Sequence, residues 1–145
     1  MIPKNQRTMT LCVALLGCNL LFIWGNSLLP ASVSGSLSQW LRDLLGSVLG
    51  DAAGQGDGFL RKMAHFAEFC SLGILLSWLF AMRRKKTLLL PAAVWGGIAA
   101  CIDEMLQHFA PGRAPRLTDV ILDTAGVLAG IGIFWLGYYT VKKRH

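Results

Sequence analysis

Charge is scarce in this chain, and what there is lies in clusters. Of 145 residues, 15% are charged and 54% are hydrophobic, where an ordinary globular domain carries roughly 25% charged residues. That balance argues against a soluble domain, because uncharged stretches of about 18 residues or more mark membrane-spanning helices. Those stretches also lack period-two alternation, which excludes a transmembrane β-barrel. Cys-x-x-Cys spacing is missing as well. Cys12, Cys18, Cys70 and Cys101 each sit inside an apolar run with no histidine at zinc-like spacing. They read as packed free thiols, not as a disulfide framework. No nucleophile motif supports covalent catalysis, and Cys70 and Ser71 read as packing residues. The net charge of +6 lies beside the apolar runs, so it is a topology signal and no nucleic-acid footprint is expected.

What is present is four apolar runs, at about residues 9–25, 59–82, 88–106 and 117–139, each near the length of a helical span. The expectation is an all-α integral membrane four-helix bundle, one domain over residues 1–145. The first run follows Lys4 and Arg7, as a signal peptide would, but Leu29-Pro30-Ala31 is a poor cleavage site and a retained anchor helix is expected. In the loop after it, Leu37, Trp40, Leu41, Leu44, Leu45 and Val48 repeat at helical spacing, with Ser38, Gln39, Arg42, Asp43 and Ser47 opposite. This predicts an extra amphipathic helix, lying in the outer interface or capping the bundle. The glycine-rich stretch 50–58 reads as a mobile connector. Gly96, Gly97, Ala99 and Ala100 in the third run, and Gly126, Gly130 and Gly137 in the fourth, predict close helix approach.

Sorting the charges by side orients the bundle. Lys4, Arg7, Arg83, Arg84, Lys85, Lys86, Lys142, Lys143 and Arg144 fall on one face of the membrane, with no acid among them. Arg42, Arg61, Lys62, Arg113 and Arg116 fall on the other, together with all the acidic residues. The positive-inside rule then predicts that both termini are cytoplasmic.

The acids carry the functional signal. Lys62, His65 and Glu68 are spaced three apart, a drifting stripe on one face of the second helix. Glu68 lies ~13 Å into its span at 1.5 Å per residue. Asp103 and Gln107 share a face of the third helix, Glu104 and His108 another, and neighbouring carboxylates there point about 100° apart. Asp119 and Asp123 are four apart at the start of the fourth. Ionisable groups therefore meet at one depth on three helices, where an unpaired charge costs at least ~2.5–3.5 kcal/mol at the helix centre. Either Lys62, His65, Arg113 and Arg116 neutralise the acids and lock the helices, or a wet pocket binds the polar head of a lipid-linked ligand. Arg113 and Arg116 lie on the turn Pro111-Gly112-Arg113-Ala114-Pro115-Arg116, and an arginine fork suits carboxylate or phosphate. His108 reads as interfacial.

Three blocks carry a resemblance. The first is Arg61-Lys62-Met63-Ala64-His65-Phe66-Ala67-Glu68-Phe69, with Leu72-Gly73 behind it. The second is Asp103-Glu104-Met105-Leu106-Gln107-His108-Phe109-Ala110-Pro111-Gly112-Arg113. The third is Asp119-Val120-Ile121-Leu122-Asp123-Thr124-Ala125-Gly126, with Gly130 one turn on. With Asn26-Ser27 at the end of the first run, these resemble the VanZ-like family of bacterial membrane proteins, with Asp123 standing where many members have Asn. The resemblance implies a bacterial plasma-membrane protein and a functional set of Lys62, His65, Glu68, Asp103, Glu104, Gln107, Arg113, Arg116, Asp119 and Asp123. The family takes its name from a member associated with low-level resistance to teicoplanin, a lipid-tailed glycopeptide.

Two functions use these residues differently. In one, an outward-facing pocket engages a membrane lipid or lipid-tailed ligand at the cell envelope, with a contribution to lipoglycopeptide resistance. In the other, the protein is a membrane enzyme acting on an envelope lipid. His65 or Glu68 is then the general base, a carboxylate from Asp103, Glu104 or Asp119 the acid, and Arg113 or Arg116 a phosphate clamp. No cofactor and no dedicated metal site is expected, although His65, Glu68, Asp103, Glu104 and Asp119 are hard or borderline ligands for a divalent metal. Transport through a single chain is disfavoured, because the cytoplasmic half of the bundle has almost no polar residues. The sequence leaves the oligomeric state open.

Overall fold

The computed structural model describes residues 6–36, 39–40, 43, 57–83 and 89–143. Four helices, α1 (Gln6–Ser27), α2 (Asp57–Arg83), α3 (Leu89–Gln107) and α4 (Leu117–Lys143), are each long and apolar enough to cross a membrane. There is no strand among the described residues. The expected runs are recovered with ends shifted by a few residues. Because α2 already begins at Asp57, the connector expected over 50–58 ends earlier than its composition suggested. Within the expected amphipathic helix, Gln39, Trp40 and Asp43 are helical. Leu37, Leu41, Leu44, Leu45 and Val48, which define its apolar face, lie outside the described residues, as do residues 50–56 of the connector.

The ends of α3 and α4 follow from local chemistry. Past Gln107, the amides of His108, Phe109 and Ala110 turn back onto the carbonyls of Met105, Leu106 and Gln107. Pro111 then offers no amide to continue the helix, and Gly112 turns the chain in the left-handed region at φ 76°, where a side chain is strained. Asp119 occupies the first turn of α4 and Lys142 and Lys143 its last, signs that complement the helix dipole at both ends. Beyond α1, residues 31–36 are helical, and the Ala31 amide donates to the Pro111 carbonyl at 3.0 Å. The α3–α4 turn is thereby tied to the segment following α1.

The most extensive packing joins α2 to α4. Gly126 and Gly130, one helical turn apart, lie against the backbone carbonyls of Phe66 and Cys70, and a Cβ at either would collide with α2 backbone. The missing side chains are what allow the two backbones to meet. Gly97 and Gly137 were expected to help in the same way, yet a Cβ at either would have nothing within 4 Å. They lie off the helix contacts. The core is formed by Ile23, Phe69, Leu72, Leu76, Ala92, Ala99, Ala100, Val127, Ile131 and Trp135, and the Trp24 indole donates to the Ala99 carbonyl at 3.4 Å.

Outside that core the surface is apolar: Leu21, Phe22, Leu90, Trp95, Met105, Leu128 and Leu136 are all exposed. A soluble monomer seldom exposes so many large apolar side chains, whereas acyl chains are a suitable solvent for them. The cysteines are free, as expected, but only Cys12 is buried. Cys18 and Cys101 are exposed on this apolar surface instead of packed.

Candidate functional site

Antiparallel packing brings the end of α1, the start of α2, the end of α3 and the start of α4 together. Each contributes polar side chains to one buried layer. From α2, Lys62, His65 and Glu68 each meet a different partner. The Lys62 ammonium lies 3.4 Å from Asp119, and His65 Nδ1 lies 3.8 Å from Glu68 and 3.9 Å from Asp103. Glu68 Oε1 accepts a 2.9 Å hydrogen bond from the Asn26 amide on α1. On α3, Asp103 accepts from Gln107 at 2.9 Å, one turn along the same face. The adjacent Glu104, pointing elsewhere as helical geometry demands, accepts from the backbone amide of Arg116. Asp123 on α4 lines a polar cavity of about 10 Å³ with Arg61, Lys62, His65, Gln107, Asp119 and Leu122.

Arg113 reaches into this layer from the α3–α4 turn. One guanidinium nitrogen donates to the Asn26 carbonyl at 3.2 Å, while Nε and Nη1 are buried with no protein acceptor. Burial and the nearby Arg61 pull this arginine below its ordinary pKa, against the opposing pull of Asp103, Glu104 and Glu68. It is a desolvated cation held among carboxylates. The layer as a whole is incompletely satisfied: Glu68 Oε2, Asp103 Oδ1, Glu104 Oε2, Asp123 Oδ2 and His65 Nδ1 are also buried without a hydrogen-bond partner. Buried polar atoms are nearly always paired, so these atoms call for partners that the protein side chains do not supply, whether water, protons, an ion or a ligand.

Of the ten residues singled out from sequence, nine bring their side chains to the layer. Arg116 is the exception. Its side chain is exposed, makes no ion pair among the described residues, and touches Glu104 only through its backbone amide. Of the two alternatives, neutralising the acids is therefore not met by its guanidinium: Glu104 takes the backbone amide and Asp119 is paired with Lys62. His108 is exposed and packs edge-on against Phe109, consistent with an interfacial place. Residues that charge patterning did not select are Asn26, whose amide holds Glu68, and the fully buried Ser27 beside Asp103. Their signals in the sequence were a polar pair ending an apolar run and the fit of that pair to the family resemblance. Asn19 donates to Ser71 Oγ at 2.7 Å, and Ser71 in turn donates to the Glu68 carbonyl at 2.7 Å, extending the polar contacts one turn deeper.

Next to this layer, an apolar crevice of about 380 Å³ opens on the bundle surface, lined by Cys101, Glu104, Met105, His108, Phe109, Pro115 and Val120. Glu104 belongs to both, so an apolar slot and a polar layer adjoin at one residue. A family model described as VanZ/LLP1 matches residues 8–138. No curated protein and no solved structure matches the chain.

Proposed function

The chain belongs to the VanZ/LLP1 family, and from that membership and its buried polar layer we propose that it engages a lipid-linked or lipid-tailed ligand at the cell envelope. The observation that carries this reading is the junction at Glu104, where a crevice of about 380 Å³ adjoins buried polar atoms that lack partners. An amphiphile needs an apolar slot for its tail and fixed polar groups for its head. The crevice supplies the first. Arg113, with two buried guanidinium nitrogens free of protein acceptors, supplies a cation suited to a carboxylate or phosphate.

The basic residues Arg7, Arg83, Lys142 and Lys143 lie at the helix ends remote from the layer. In our reading the protein sits in the bacterial plasma membrane with both termini cytoplasmic and the layer facing outward. Sequestering or shielding a lipid-tailed envelope target there would contribute to resistance against teicoplanin-type lipoglycopeptides. The test is native mass spectrometry of detergent-purified protein beside Val120→Trp, which fills the crevice, and Arg113→Ala. A lipid adduct carried by wild type and lost from both variants supports the reading. An adduct retained equally by all three sinks it.

One observation favours a second reading, a membrane enzyme. His65 Nδ1 faces Glu68 at 3.8 Å and Asp103 at 3.9 Å, beyond hydrogen-bond range but near enough that a small closure would let one carboxylate orient the imidazole for general base work. Incubating wild type and His65→Gln with membrane lipid extract, followed by lipid mass spectrometry, decides it. A lipid species converted only by the wild type marks a reaction.

A further inference from the structure

We propose that His65, Asp103 and Asp123 form a binding site for one divalent transition-metal cation. The inference does not depend on a lipid ligand. Each residue comes from a different helix, α2, α3 and α4, and one ligand-type atom from each lies within 4.8 Å of the other two. Ligands about 2.1 Å from a tetrahedral ion stand about 3.4 Å apart, so small side-chain shifts close the set. Asp103 is 0% exposed, Asp123 1% and His65 7%. Asp123 Oδ2 and His65 Nδ1 are buried with no hydrogen-bond partner, and Asp103 Oδ1, which makes no hydrogen bond of normal geometry, has the Ser27 hydroxyl beside its carboxylate.

Asp123 is the independent pointer to a cation. Its carboxylate makes no hydrogen bond or ion pair among the described residues; Arg61 and Lys62 line the same cavity without pairing with it, and the strongest charge effects on it come from Asp103, Asp119, Glu104 and Glu68, all of its own sign. A carboxylate so placed within a membrane span requires a counter-charge or a proton. Lys62 is engaged with Asp119, while Arg113 reaches the α1 end of the layer through the Asn26 carbonyl. Around the layer, the five carboxylates Glu68, Asp103, Glu104, Asp119 and Asp123 face three cations, Arg61, Lys62 and Arg113. With every carboxylate ionised the formal excess is two negative charges, which one divalent ion or two protons would balance.

Size and chemistry narrow the choice. The cavity that His65 and Asp123 line, with Arg61, Lys62, Gln107 and Asp119 but not Asp103 on its wall, is about 10 Å³, room for one water-sized sphere and too small for a phosphate head group. One imidazole with two carboxylates suits Zn²⁺ or Mn²⁺ better than Ca²⁺ or Mg²⁺, which favour all-oxygen sets. Gln107, donating to the other Asp103 oxygen at 2.9 Å, orients that carboxylate as outer hydrogen bonds do at metal sites. Sequence reasoning had grouped Glu68, Glu104 and Asp119 with His65 and Asp103. The fold puts Asp123 into that set.

The test is elemental analysis of protein purified in detergent without chelator, followed by thermal denaturation of stripped protein titrated separately with Zn²⁺ and Mn²⁺. About one equivalent of metal per chain is expected, with a melting temperature that rises with concentration of the preferred ion. Asp123→Asn should abolish both, and Gln107→Ala should weaken the apparent affinity about tenfold. Less than about a tenth of an equivalent in wild type, with no thermal response to either ion, would show that protons neutralise these acids and overturns the proposal. Wild-type affinity retained in Asp123→Asn also overturns it. The wild-type measurements decide the matter even if a variant fails to fold, and they are independent of any lipid adduct.

Discussion

Replacing Arg113 separates a binding layer from a structural lock. Its side chain has two jobs that can be told apart. One nitrogen holds the Asn26 carbonyl at 3.2 Å, tying α1 to the α3–α4 turn, while the positive charge sits among Glu68, Asp103 and Glu104. Arg113→Ala removes both, and stripping one partner from a buried charge cluster costs about 3–5 kcal/mol. Arg113→Lys keeps the charge and can still donate to one acceptor, so its stability loss should be about 1 kcal/mol, one ordinary hydrogen bond. Ligand retention should respond differently. Nε and Nη1 are buried with no protein acceptor, and lysine cannot reproduce those two directional donors. We expect Arg113→Lys to weaken lipid retention and protection against lipoglycopeptides about tenfold or more, equivalent to ~1.4 kcal/mol, while melting close to wild type. The assays are thermal denaturation in detergent, lipid co-purification, and susceptibility of cells carrying each variant. Full rescue by lysine in the last two refutes the argument and leaves Arg113 a purely electrostatic brace.

Four further outcomes follow from the same geometry. Gly130→Ala puts a methyl group against the Cys70 carbonyl and should destabilise the bundle by about 1–3 kcal/mol, whereas Gly137→Ala, in open space, should be neutral or slightly stabilising; equal melting temperatures would contradict the α2–α4 contact. Glu68→Gln and Asp103→Asn should abolish function while the protein still inserts and elutes as a monodisperse species, and loss of that species would mean the charges hold the fold. Asn26→Ala leaves Glu68 without its 2.9 Å donor and should cost about 1–3 kcal/mol, read by thermal denaturation against an Asn19→Ala comparison. In a background lacking native thiols, Pro111→Cys should react with an impermeant reagent from outside intact cells and Lys142→Cys should stay silent; the reverse pattern would invert the proposed orientation.

The sequence by itself determined the number of spans, their ends to within a few residues, and the depth at which the ionisable groups gather. These are one-dimensional properties: hydrophobic length sets a span, and 1.5 Å per residue converts position into depth. Family membership was equally legible, because the blocks around His65, Asp103 and Asp119 are local. What the tertiary structure decided was azimuth, the direction each side chain takes around its helix. Helical spacing showed that Asp103 and Glu104 must diverge, but not that one meets His65 and the other the Arg116 amide. It placed Asp119 and Asp123 on one face without showing that Lys62 takes the first while the second stands beside His65 and Asp103. It set Arg116 beside Arg113 as an equal, though only Arg113 turns its guanidinium inward. Those outcomes depend on helix rotation, which is fixed where Gly126 and Gly130 let α4 settle against the α2 backbone. A rotation of one residue, about 100°, would keep every span and every depth while giving each acid a different neighbour.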